Sequence, residues 1–137
     1  MEKKIIWGGL AGGVTFFILG FLFYGLLLKS FFAEHSPASI FKEIPDFPIL
    51  IVGNILMGFF YALILGSWAK ASSPGDGAKK AFIMTILFSC GYDLMMYSTS
   101  NISTTTGMIG DIATTTVMGT IVGAVVTMVM GSSNKTA

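Results

Sequence analysis

Arginine is absent from this chain, and charge of either sign is scarce: eight lysines face seven acids in 137 residues, for a net charge of +1. Without a guanidinium fork there is no bidentate grip on phosphate, and no basic patch replaces it, so a nucleic-acid partner is excluded. The lone Cys90 cannot close an intramolecular disulfide. It also lacks the second thiol that a membrane thiol oxidoreductase would need. The lone His35 sits between Glu34 and Ser36, outside any apolar run, so no Ser–His pair of an intramembrane serine protease can form. Nothing in the sequence calls for a cofactor.

What is present is apolar. Hydrophobic residues make up 53% of the chain, and mean hydropathy is +0.79. That composition belongs to a polytopic membrane protein whose chief partner is the lipid bilayer. The pattern predicts an all-α fold: one transmembrane domain over 1–137, a four-helix bundle of antiparallel hairpins with spans at about 5–28, 47–69, 81–97 and 106–130. The first uncharged run, Ile5–Leu28, exceeds the roughly 7–15 residues of a signal-peptide core and reads as a retained helix. Pro48 suits a first helical turn. Ser36-Pro37 marks either the start of a short interfacial helix ending near Glu43 or an irregular loop. Ser72–Gly77 has the composition of a turn, and Ser98–Thr106 that of a polar loop leading into a helix. The tail after Gly131 is short and polar, as a frayed end would be. The nine methionines read as lipid-facing filler, and Met95 and Met96, being adjacent, point to different faces.

Lysine placement sets the orientation. With four spans, Lys3, Lys4, Lys70, Lys79, Lys80 and Lys135 share one side, against Lys29 and Lys42 on the other. The positive-inside rule then puts both termini in the cytoplasm. Trp7 and Trp68 fall at that same interface, where an aromatic belt belongs.

Two aspartates interrupt this pattern. Asp93 and Asp111 lie inside the third and fourth spans, with no basic residue in either. A carboxylate in hydrocarbon is costly and usually faces a bundle interior at an ion, proton or substrate site. At 1.5 Å per residue both lie roughly 8–10 Å below the outer surface. Asn54 and Tyr24 fall in the same layer, so each span would contribute one polar residue to it. With Asp93, Asp111, Asn54 and Tyr24 as hard oxygen donors, the ion expected is an alkali or alkaline-earth cation. Like charges in a partly desolvated site cannot both ionise cheaply, so a shared proton or a cation would relieve the pair.

Residues four apart share a helix face, and here those faces are small. Asp111 leads to Thr115, Gly119, Gly123 and Thr127; Asn54 to Gly58, Ala62 and Gly66; Asp93 back to Ser89, Thr85 and Ala81; Tyr24 back to Gly20, Phe16, Gly12 and Gly8. Gly12, Gly20, Gly58, Gly66, Gly119 and Gly123 are therefore expected to pack helix on helix, closing the cytoplasmic half of the bundle below an outward-facing polar pocket.

The segments Gly8–Gly13, Gly20–Gly25 and Gly91–Tyr97 resemble small bacterial four-helix integral membrane proteins grouped as a domain of unknown function. The resemblance implies a bacterial inner membrane and names no activity. Three functional readings follow. The first is a protein that binds or transports a cation or proton-coupled solute, as a homo-oligomer or in a larger membrane complex. The second is an accessory or scaffold subunit packing through its glycine faces. The third, which trails, is an enzyme using the two aspartates as an acid–base pair.

Overall fold

Helix α1 (Lys3–Gly20) runs into a π-helical stretch, Phe21–Leu27, and the chain then forms the short α2 (Lys29–Glu34). Helix α3 (Phe47–Leu63) likewise ends in a π-helical stretch, Ile64–Trp68. It is followed by α4 (Pro74–Thr99) and α5 (Thr105–Lys135). The structure, a computed structural model, describes residues 2–37 and 39–135 and contains no strand among them. Four helical stretches are long and apolar enough to cross a membrane: Lys3–Leu27, Phe47–Trp68, Pro74–Thr99 and Thr105–Ser132. The chain is thus all-α and of multi-pass membrane type.

The helix ends explain where the boundaries fall. Asp46 caps α3 by accepting the Ile49 amide at 3.3 Å, with Pro48 in the first turn. Thr104 Oγ1 accepts the Gly107 amide at 3.1 Å and opens α5. The stretch expected as a turn before α4 is instead a helix start: Ser73 accepts the Asp76 amide at 3.2 Å, and Pro74 follows it at the first helical position. Lys80 reaches back to the Ala69 carbonyl and to Asp76, at 2.8 Å each, and so ties that start to the end of α3. Among the described residues of 36–43 no helix forms. The extra helix comes earlier, at α2, and ends where His35 Nδ1 meets the Phe31 carbonyl at 2.7 Å. The C-terminal tail is also more regular than its composition suggests, because α5 continues to Lys135; Thr136 and Ala137 lie outside the described residues.

Helix α1 packs along both α3 and α5, and α5 packs along α4. The α1–α3 contact is backbone on backbone. A Cβ at Gly58 would strike the Gly9 carbonyl and the Gly13 amide, and one at Gly12 would meet Gly58 and Val126. Across the bundle, Gly123 faces Ala81 and Gly77, Gly119 faces Thr85 and Tyr61, and Gly66 faces Ile5 and Met130. Gly20 differs from these, since its nearest neighbour is the Met118 methyl at 3.8 Å. Met118 and Met130 are themselves buried, so not all the methionines face outward. They join Leu65, Val122 and Val126, the largest side chains with essentially no exposed surface, in the core of the half nearer the termini. Trp7 and Trp68 are exposed at that end.

Tyr61 closes the fourth side. Its ring meets Phe16 edge-on at 5.0 Å between centroids, and its hydroxyl bonds Thr85 on α4. Thr85 already donates to the Ala81 carbonyl at 2.6 Å, so Tyr61 is the donor. Tyr61→Phe should leave the packing intact and cost about 0.6 kcal/mol, the usual worth of one interhelical hydrogen bond in a membrane protein. Tyr61→Ala should cost about 3–5 kcal/mol through the cavity it opens. Melting curves in detergent would separate the two, and equal losses would mean that the hydroxyl rather than the ring holds the contact.

Candidate functional site

The inner stripe of α4 runs Gly77, Ala81, Thr85, Ser89, all buried, and reaches Asp93 one turn later. Ser89 Oγ donates to Asp93 Oδ2 at 3.0 Å. On α5, Asp111 stands about two turns from the helix start. Tyr24 Oη donates to Asp111 Oδ1 at 2.6 Å and lies 3.1 Å from Thr115 Oγ1. With the Tyr24 proton committed to the carboxylate, Thr115 is the donor in that second contact. Asp93 and Asp111 stand on helices that pack against each other, α4 and α5.

Tyr24 lies within the π-helical stretch. Leu28 N bonds the Phe23 carbonyl at 2.7 Å, five residues back instead of four. The wider turn shifts the face that the helix presents from there on, and such segments are frequent at functional sites. The Tyr24 ring rests on Phe32 of α2, with centroids 4.9 Å apart. Helix α2 is held in turn on the start of α5. The Thr104 amide donates to the His35 carbonyl at 3.0 Å, and a Cβ at Gly110 would strike the Phe31 ring.

These elements enclose a cavity of about 210 Å³ at the end of the bundle away from the termini, with Asp93, Asp111 and Tyr24 in its wall. The α2–α3 connection covers it with Ile40 and Phe41, while Tyr92 and Tyr97 flank it from α4. No lysine or histidine lines it. Two carboxylates therefore face one partly closed space without a counter-cation from the protein. Two ionised carboxylates in one such space repel each other. A proton or a positively charged guest would relieve that repulsion.

The polar layer expected from depth alone is only partly assembled. Asp93, Asp111 and Tyr24 come together, but Asn54 does not line the cavity. Its amide donates to the Leu50 carbonyl of its own helix at 2.8 Å. Helix α3 packs mainly along α1, so equal depth does not bring Asn54 to the aspartates. The four-donor set for a hard cation thus loses a member. Among the described residues no group of three or more acidic, histidine or cysteine side chains could hold a metal ion. Ser89 and Thr115 were legible as members of the two stripes. The wall supplied by the α2–α3 connection carried no signal in the sequence. Comparison with protein-family models, curated proteins and solved structures finds nothing that matches this chain, so the geometry of the site carries the functional reading.

Proposed function

We propose that this chain is a small multi-pass protein of a bacterial inner membrane that binds, and through an oligomer or larger complex transports, a cation or a proton-coupled solute at an outward-facing carboxylate site. One observation carries the reading: Asp93 and Asp111, on neighbouring helices, line the same cavity with no basic side chain beside them. Tyr24 and Ser89 hold the pair in place through hydrogen bonds, and Thr115 bonds the Tyr24 hydroxyl. The filled core of Leu65, Val122 and Val126 between the cavity and the termini favours a site open to one side at a time.

The wild-type protein in detergent should melt at a temperature that depends on added cation or on pH, because a guest that binds only the folded state stabilises it. A melting temperature indifferent to both would remove the site. The aspartates would then be interfacial polar groups, and the scaffold reading, resting on glycine contacts such as Gly58 against Gly9 and Gly13, would take first place.

The outward direction rests on the lysine asymmetry. Cysteines placed at Ser39 and Ser133 test it: Ser39→Cys should react with a membrane-impermeant maleimide on intact cells, and Ser133→Cys only after lysis. Labelling of Ser133→Cys from outside would invert the topology and turn the cavity toward the cytoplasm.

A further inference from the structure

We propose that the guest of this cavity is a small protonated amine carrying an apolar group, in preference to a metal ion. This rests on the carboxylate-site reading above and narrows it to a chemical class.

The walls are the first reason. Around the two carboxylates stand five aromatic residues, Tyr24, Phe32, Phe41, Tyr92 and Tyr97. An aromatic face attracts a cation through its quadrupole and needs no coordination bond. The remaining wall includes Met96, Met108 and Ile102, which suit hydrocarbon and give a hard ion nothing.

The donors are the second reason. Calcium takes six to eight oxygens and magnesium a near-ideal octahedron. Here one oxygen of Asp111 is occupied by Tyr24 and one of Asp93 by Ser89, and Asn54 is turned away. The carboxylates of Asp93 and Asp111 are the anionic donors of the wall, with no third carboxyl group in its lining. That is too little for a dehydrated divalent ion, but it matches the N–H donors of an ammonium group, which form charge-assisted hydrogen bonds.

Size is the third reason. A volume of about 210 Å³ equals that of about seven waters at bulk density, far more than a bare metal ion fills. It is also below the usual range of drug-sized pockets, which points to a compact guest. An ammonium head between the carboxylates, with one ring or short alkyl group toward Phe41 and Tyr92, fits the volume and the chemistry together.

Calorimetric titration of the full-length protein in detergent, corrected against empty micelles, tests this with benzylammonium, uncharged benzyl alcohol, sodium and calcium as probes. Benzylammonium should bind at least tenfold more tightly than the other three. Its binding should vanish in Asp93→Asn with Asp111→Asn. In Phe41→Leu with Tyr92→Leu, which keeps the surface apolar and removes two rings, it should weaken by about tenfold. Equal binding of benzyl alcohol, or binding that survives the Asn pair, would overturn the amine and leave only an apolar pocket. Sodium or calcium binding more tightly, with loss in the Asn pair, would overturn the amine and keep the carboxylate site. An unchanged affinity in the Leu pair would overturn the role of the rings, and with it the preference for an organic cation. No binding of any probe would overturn the amine, and a melting temperature also indifferent to pH would overturn the carboxylate site with it.

Discussion

Gly58→Leu is expected to abolish the folded bundle, and Gly58→Ala to cost about 2–3 kcal/mol, at the upper end of typical overpacking effects. The reason is what a side chain would meet. A Cβ on Gly58 lands on the Gly9 carbonyl and the Gly13 amide, which are backbone atoms of α1 that no rotamer change can move. The contact is reciprocal, since a Cβ on Gly13 would strike the Ile55 Cα and its side chain. Relief requires the two helices to separate along their length. In lipid there is no hydrophobic drive to hold them together once close packing is lost. Gly53 and Gly91 provide the internal control, because an added Cβ at either meets nothing within 4 Å. Gly53→Ala and Gly91→Ala should be as stable as wild type or up to about 1 kcal/mol more stable, because Ala is the better helix former. The measurements are the yield of monodisperse protein and the melting temperature in one detergent. A Gly58→Ala protein as stable as Gly53→Ala would show that α1 and α3 do not meet at this point.

Asp93→Asn combined with Asp111→Asn should erase the response to a bound cation while leaving the protein folded. Asparagine keeps the shape of the side chain and one acceptor oxygen. That oxygen can still take the Tyr24 proton now 2.6 Å from Asp111 and the Ser89 proton now 3.0 Å from Asp93. What disappears is the negative charge, and with it both the repulsion between the groups and the attraction for a guest. At a cation concentration 100 times its dissociation constant, the wild type gains about 2.7 kcal/mol and the double variant should gain nothing. Without cation, the variant should be at least as stable as wild type, because removing a like-charge repulsion in a partly buried site offsets the lost charge-assisted bonds. A double variant that keeps the full cation-induced shift places the binding elsewhere. One that fails to fold would show that the carboxylates are structural, and the single variants would then identify which of the Tyr24 and Ser89 bonds the fold depends on.

How much of this was legible in the sequence depends on whether a property is local. Span number, approximate ends and the depth of Asp93 and Asp111 follow from hydropathy and a fixed rise per residue. The inner face of α4 also follows, because Ala81, Thr85, Ser89 and Asp93 repeat every four residues and the first three are buried as a set. Capping was local too, although Ser73-Pro74 has the composition of a turn and acts as a helix start. Azimuth was not local. Asn54 shares the depth of the aspartates, yet the packing order places α3 against α1 and leaves that amide on its own helix. Nor could any periodicity show the π-helical stretch at Phe21–Leu27, although the four-residue repeat did carry Tyr24 to the level of Asp111. The cover over the cavity came from residues with no repeat at all, Phe32, Ile40 and Phe41. A four-span helical chain with two carboxylates at one level follows from the order of residues alone, since depth and face depend only on distance along a helix. That the carboxylates share one cavity with Tyr24 and without Asn54 is a consequence of packing, because it depends on which helices stand side by side and how far each is turned.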